Sequence, residues 1–350
     1  MPDISKIYTS DTHAQKEVDA LLAAEGIRRD RNLDYTCGVY DDAYEHLIAT
    51  GSCFKNTLRC FAVSDKHQGE GLLNSVLTHL IEVQHERGNA HFFLYTKCSS
   101  AKFFGDLGFH EIARVPDELV FMENRRSGFG DYLAALQAES PVPADGQRIA
   151  ALVMNANPFT LGHQYLVEKA AAENDLVHLF IVSEDASLVP FAVRKKLVQA
   201  GTAHIPNLVY HESGPYIISS ATFPSYFQKD EASVSEGHAR LDIAIFQRIA
   251  AVLGITRRYV GDEPLSQVTS LYNQVMQKAL PASGIECVIV PRKEQSGQVI
   301  SASTVRQALQ TGDFTRLSEL VPPTTLEYFK SDEAAPILKI IAQAGNVVHH

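Results

Sequence analysis

Residues 155–163 read Asn155-Ala156-Asn157-Pro158-Phe159-Thr160-Leu161-Gly162-His163, and the fold is decided there. The apolar run just before them, Ile149–Met154, reads as a buried parallel strand. Leu166, Val167 and Ala170 follow at helical spacing. The stretch therefore sits where a strand turns into a helix. In open α/β sheets that turn lies at the carboxyl edge, where ligands bind. Pro158 stiffens it, and Gly162 lets a ligand come close to the backbone. His163 opens the helix, where free N–H groups and the helix dipole favour a phosphate. An imidazole there can donate to a phosphate oxygen as charge develops. The competing reading is a plain corner with a capping Thr160 and a packed His163.

Working outward, apolar runs alternate with helical stretches. Strands are expected at Ala150–Met154, Val177–Val182, Leu208–His211, Arg258–Val260 and Cys287–Val290. Helices are expected at Gln164–Ala172, Phe191–Ala200, Leu241–Leu253 and Thr269–Leu280. This alternation predicts a doubly wound parallel sheet, an α/β fold. Residues 213–237 are too long for an ordinary connection and are expected to form a functional flap. Near the other end stands Ile300-Ser301-Ala302-Ser303-Thr304-Val305-Arg306. It follows the last strand and opens a helix. Ser and Thr are ordinary helix caps, but the Arg306 fork suits phosphate oxygens. Thr-x-Gly-His early and Ile-Ser-x-Ser-Thr-x-x-Arg late, in that order, resemble the nucleotidylyltransferase superfamily.

Other candidates have two readings each. Ser183, Glu184 and Asp185 end the second strand and either line the cleft or form a solvated loop. Arg194, beside Lys195 and Lys196, is either part of a solvated helix face or a cation that reaches a triphosphate. Gly261, Asp262 and Glu263 end the fourth strand. They make either a plain turn or a place where adenine and ribose approach, with the acids at a ribose hydroxyl or a Mg²⁺ shell. Arg292, after the fifth strand, divides the same way. The nucleotide set is completed by Asn155, Asn157, Pro158, Phe159, Gly162, Ser301, Ser303 and Thr304.

Composition narrows the function classes. The chain has 350 residues, 45% hydrophobic and 21% charged, which suits two soluble domains. A formal net charge of −10 argues against broad nucleic-acid binding. No apolar run is long enough to span a bilayer, and the first residues lack a signal-peptide core. The five cysteines form no Cys-x-x-Cys pair and fit free thiols in the cytoplasm. No His-Glu-x-x-His occurs, so no metal held by a protein cluster is expected.

The first part carries its own motif. A helix is expected over residues 12–25, with Ala14, Val18, Leu21 and Leu22 on one face. Strands follow at Tyr35–Tyr40, Glu45–Thr50 and Thr57–Val63. Gln68-Gly69-Glu70-Gly71 then precedes an amphipathic helix starting at Leu72, and a strand follows at His91–Thr96. Glycines between a strand and a helix expose N–H groups to an anion; a turn that merely needs glycine is the plainer reading. The order of elements over residues 35–125 resembles the GNAT acetyltransferases, which bind acyl-CoA. Phe104 stands where many members carry a Tyr proton donor, and Phe cannot donate. A binding module for a CoA-like arm, with Gln68, Gly69 and Gly71 at that arm, is expected rather than acetyl transfer.

Three regions result: residues 1–130, a linker over 131–147 whose Asp131–Ala138 can form a short helix, and residues 148–350. A helix over Pro336–His350 closes the chain. The pairing of these two domains resembles the citrate lyase ligase family. The match is carried by Gln68–Gly71, Met154–His163, Val182–Asp185, Thr222–Phe227 and Pro291–Glu294 leading into Ile300–Arg306. The resemblance implies an AMP-forming acid–thiol ligase that uses ATP with Mg²⁺. Acetate would become acetyl-AMP. The thiol of the CoA-like group on the citrate lyase acyl carrier subunit would then take the acetyl group. It implies catalytic roles for His163, Thr160 and Arg306. The rivals are a nucleotidylyltransferase acting on a phosphopantetheine or mononucleotide acceptor, and an acetyltransferase with a regulatory nucleotide domain.

Overall fold

The computed structural model describes residues 3–30, 32–41, 43, 45–223, 236–262, 266–295 and 298–345. The chain divides into two units, Met1–Gly128 and Phe129–His350.

The first unit holds β1 (Ile4–Lys6), α1 (Thr12–Ala24), β2 (Tyr35–Tyr40), β3 (Leu47–Phe54), β4 (Thr57–Val63), α2 (Leu72–Glu86), β5 (Phe93–Thr96), α3 (Ala101–Asp106), β6 (His110–Val115) and β7 (Leu119–Glu123). Its sheet runs β1-β2-β3-β4-β5-β7-β6. All neighbours are antiparallel except β4 and β5, because α2 is the crossover between them. Asp11 caps α1 by accepting from the N–H groups of His13 and Ala14, and the expected Ala14, Val18, Leu21 and Leu22 face is buried. The third strand runs further than Thr50, through Gly51 to Phe54. That glycine is needed for packing, since a Cβ there would lie 2.6 Å from Val76 Cγ1 of α2. The β6–β7 hairpin turns at Asp117, whose φ is +61°. Phe104 is buried against Phe61 and Phe109.

The second unit begins with α4 (Gly128–Ala138). The sheet and its helices follow: β8 (Ile149–Met154), α5 (Leu161–Glu173), β9 (Leu176–Ile181), α6 (Phe191–Thr202), β10 (Leu208–Glu212), α7 (Glu236–Leu253), β11 (Arg257–Gly261), α8 (Gln267–Ala279) and β12 (Glu286–Val290). A small hairpin, β13 (Glu294–Gln295) and β14 (Gln298–Val299), leads to α9 (Ala302–Thr311), α10 (Phe314–Leu320), α11 (Pro323–Lys330) and α12 (Ala335–Gln343). The sheet is β10-β9-β8-β11-β12, parallel throughout. The chain builds β8, β9 and β10 outward in one direction, then crosses back to place β11 on the other side of β8. The doubly wound fold is thus present, with its switch point between β8 and β11, where such sheets bind ligands.

Part of the expected linker is packed structure. Tyr132 of α4 donates to the Glu212 carbonyl at 3.0 Å, and Phe129 lies against Tyr216. The expected flap is also packed over its first part, for Tyr216, Ile217, Ile218 and Phe223 are buried. Its residues 224–235 lie outside the described residues, as do residues 346–350 of the expected last helix. Two buried histidines on neighbouring strands, His178 and His211, share a hydrogen bond of 2.9 Å. Burial pushes both down to about 4, so the pair is neutral.

Candidate active site

The turn after β8 is held from several sides. Ala156 adopts φ +48°, an uncommon region for a residue with a Cβ. Asn157 is buried; its side-chain oxygen accepts from the Val189 N–H at 3.1 Å. The Asn157–Pro158 peptide is cis. Thr160 then caps α5 through a reciprocal pair. Its hydroxyl accepts from the His163 N–H at 3.2 Å, and its own N–H donates to His163 Nδ1 at 3.1 Å. A Glu or Gln usually completes such a box; here an imidazole does. Because Nδ1 accepts, these bonds assign the proton of a neutral ring to Nε2. Burial, then the charges of Arg292 and Arg306, lower the His163 pKa to about 4. The ring is therefore neutral near pH 7 and offers one N–H donor.

The second motif meets the first. Ser301 caps α9 by accepting from the Thr304 N–H at 3.1 Å. Arg306, one turn later, is buried. It donates to the Asn157 carbonyl at 2.5 Å and to Ser303 Oγ at 3.3 Å. Gly162 has no room to spare, since a Cβ would lie 3.3 Å from the Ile300 carbonyl oxygen. The starts of α5 and α9 thus abut, and both present the positive ends of their dipoles to one place. Burial lowers Arg306 to about 10, which leaves it a cation at neutral pH. Arg292 donates to the Asp262 carbonyl at 2.8 Å. The cluster offers a neutral donor, two cations and two helix starts. It suits a polyphosphate.

Several expected residues have other tasks. Arg194 does not stand on an open helix face. It is fully buried, and its guanidinium donates to the carbonyls of Val189, Asn155, Val182 and Glu184. It binds the strand-end loops together and is not placed to reach a triphosphate. Phe159 is also wholly buried. Its ring stacks beside His163 with 5.9 Å between centroids, and a Cβ on Gly201 would lie 2.4 Å from Phe159 Cε1. It supports the site from beneath. The Thr304 N–H, expected at phosphate, is committed to the cap. Asn155 pairs with Ser187 at 3.0 Å. The strand-end trio is likewise engaged: Ser183 accepts from Gly214 N–H, Glu184 from Ser220 N–H and Asp185 from Phe191 N–H. Gly261 ends β11 with open space where a Cβ would be. Glu263 and residues 224–227 of the family signature lie outside the described residues.

Sequence reading missed Gly201, Ser187 and Val189 as supports. Gly201 was visible as a glycine inside a helix, which often marks a close approach. In the first unit, Gln68, Gly69 and Gly71 do form the loop ahead of α2. Gly69 and Gly71 have φ +87° and +77°, and Gln68 donates to Asp65 at 2.8 Å.

The chain has recognisable relatives. The family model described as "Citrate lyase ligase C-terminal domain" matches residues 149–329. A citrate (pro-3S)-lyase ligase from Escherichia coli (strain K12) is 38% identical over 333 residues, covering 93% of each chain. The chain belongs to the citrate lyase ligase family. The Klebsiella pneumoniae citrate (pro-3S)-lyase ligase is 40% identical over 300 residues, covering 84% of this chain and 87% of its own. Among solved structures, Thermotoga maritima TmcAL bound with α-thio ATP covers 54% of this chain and 57% of its own, at 11% identity and a TM-score of 0.36.

Proposed function

We propose that the second unit adenylates acetate with ATP, and that the chain then passes the acetyl group to a thiol on the acyl carrier subunit of citrate lyase. The observation that carries this reading is the joint of α5 and α9, where a neutral imidazole and a buried arginine share one backbone scaffold. Family membership supplies the target, since the curated relatives are named as ligases of citrate lyase.

In the first step a carboxylate oxygen attacks the α-phosphorus of ATP. The bond from that phosphorus to the bridging oxygen breaks, and pyrophosphate leaves. Such a displacement depends on positioning and charge neutralisation. His163 stabilises the α-phosphate through Nε2–H, and the buried Thr160, whose N–H and hydroxyl are both engaged with His163, holds that ring in place. Arg306, with the start of α9, holds the departing phosphates. The described residues gather no group of three or more His, Cys, Asp or Glu. Mg²⁺ would arrive on the nucleotide, mostly keeping its waters and lowering the phosphate charge. In the second step the thiol sulfur attacks the acetyl carbon, the bond to the AMP oxygen breaks, and the thiol proton passes to water.

The first unit is the dock for the prosthetic arm. β4 and β5 are registered at Thr57–Phe93 and Leu58–Leu94. Both strands continue past these pairs, to Val63 and Thr96, and the Gln68–Gly71 loop leads from β4 into α2.

The test is ATP-dependent pyrophosphate release with and without acetate. Acetate-dependent release with AMP as product supports the reading. Transfer of AMP to another acceptor, with no response to acetate even when the thiol carrier is present, overturns it in favour of a nucleotidylyltransferase.

A further inference from the structure

Asp242 of α7 is wholly buried, and no step above uses it. Its Oδ1 accepts from the Ile218 N–H at 2.6 Å and from the Thr222 hydroxyl at 2.9 Å. Its Oδ2 accepts from the Tyr272 hydroxyl of α8 at 2.6 Å. Burial raises the Asp242 pKa; these three hydrogen bonds and, more weakly, the charge of Arg258 of β11, itself buried 4.1 Å over the Phe246 ring, oppose that rise. A buried carboxyl group is costly unless donors hold it, and here three do.

What the carboxylate holds is the turn after β10. Ile218 sits at φ +46°, which a β-branched residue keeps only where its surroundings dictate it. The Ser219 hydroxyl accepts from the N–H groups of Ala221 and Thr222. Ser220 N–H reaches across to Glu184 Oε2 at 2.7 Å. A second crossing lies beside it: Ser183 N–H donates to Ser213 Oγ at 2.9 Å, and Gly214 N–H donates to Ser183 Oγ at 3.0 Å. Arg194 then ties the Glu184 carbonyl to that of Asn155. The loop after β9 and residues 213–222 after β10 are therefore joined to each other and, through Arg194, to the turn after β8.

These loops lie on the side of β8 away from β11 and β12. The groups suited to the nucleotide (Arg306, Arg292, Gly261) come from the β11–β12 side and from α9. With the nucleotide at the switch point, the β9–β10 side is left for the acid. We infer that Asp242 is a positioning residue for the carboxylic-acid substrate, fixing residues 218–222 and, through Ser220 and Glu184, the acid-facing rim of the site. This rests on the adenylating-ligase reading.

The experiment is steady-state pyrophosphate release by the full chain, with acetate and ATP varied separately. Wild type comes first; if it ignores acetate with the carrier present, the ligase reading fails and takes this inference with it. In Asp242→Asn, KM for acetate rises about tenfold, while KM for ATP and kcat stay within about threefold, a split that general loss of structure does not produce. Thr222→Val keeps the carboxyl group and its bonds to Ile218 and Tyr272; it shifts KM for acetate the same way by a smaller factor and decides alone if Asp242→Asn does not fold. Combining Asp242→Asn, or Thr222→Val in its place, with Glu184→Ala gives a smaller rise than the product of the single effects, because both break one connection. Unchanged KM for acetate in folded variants, an equal rise for ATP, or simple multiplication of the effects overturns the proposal.

Discussion

Two glycine-bearing turns of this chain, those at Gly162 and at Gly69–Gly71, are built in opposite ways. Around Gly162 every neighbour is committed. Thr160 and His163 cap each other, Arg306 reaches Asn157, and the Ile300 carbonyl lies where a side chain would begin. At Gly69 and Gly71 a Cβ would meet no atom within 4 Å, and both residues are exposed. The first turn is rigid before anything binds; the second owes its shape mainly to backbone conformation. Preorganised donors are worth most where charge develops during reaction. An open loop suffices where an arm only has to dock.

That contrast can be broken or sharpened by experiment. The largest effect is expected from His163→Ala, which removes the Nε2–H donor. Acetate-dependent pyrophosphate release should fall by about 10²–10³-fold, the usual cost of losing one such donor, with a wild-type circular dichroism spectrum. A rate near wild type would remove the histidine from the chemistry. Next comes Gly201→Ala, which pushes a methyl into Phe159. Overpacking of this kind costs about 1–3 kcal/mol, so the melting temperature should drop together with activity. A stable, active variant would show that the support beneath His163 is soft.

Acid should act on the second unit in a definite direction. His163, His178 and His211 are held at about 4 in the folded chain, below the ordinary 6.5. Between those values the unfolded chain binds more protons, so stability is full above about pH 6.5 and is lost as pH falls towards 4. Each group contributes at most about 1.4 kcal/mol per pH unit in that window. Denaturant titrations at pH 7.5 and 5 measure the loss, and replacing His178 and His211 together by Gln should flatten it. The smallest effect is expected from Gly71→Ala. A Cβ at φ +77° costs about 1 kcal/mol, with pyrophosphate release unchanged and only carrier acetylation slowed. Equal slowing of both steps would erase the distinction between the two turns.

The sheet of the second unit was legible because its strands are continuous apolar runs and its helices are strongly periodic; the expected boundaries differ from the observed ones by a few residues. The ordered motif pair was legible for the same local reason. What could not be read was the division of labour inside it. Phe159 and His163 stand four residues apart in one motif, yet one is wholly core and the other carries the donor. Arg194 sits beside two exposed-type lysines, and its four carbonyl partners come from two loops, the one after β8 and the one after β9. The α10 and α11 helices went unread although Asp313 caps one and Pro323 opens the other. Such roles depend on contacts distant in sequence, which periodicity does not encode.

The Arg306–Asn157 hydrogen bond joins positions separated by 149 residues. During synthesis the turn after β8 leaves the ribosome long before its partner exists. A nascent or prematurely terminated chain ending ahead of α9 carries the histidine but lacks the arginine, the second helix start and the carbonyl wall at Ile300. On the proposed ligase reading, activity arrives at one late point in translation, and fragments released earlier should be silent instead of spending nucleotide.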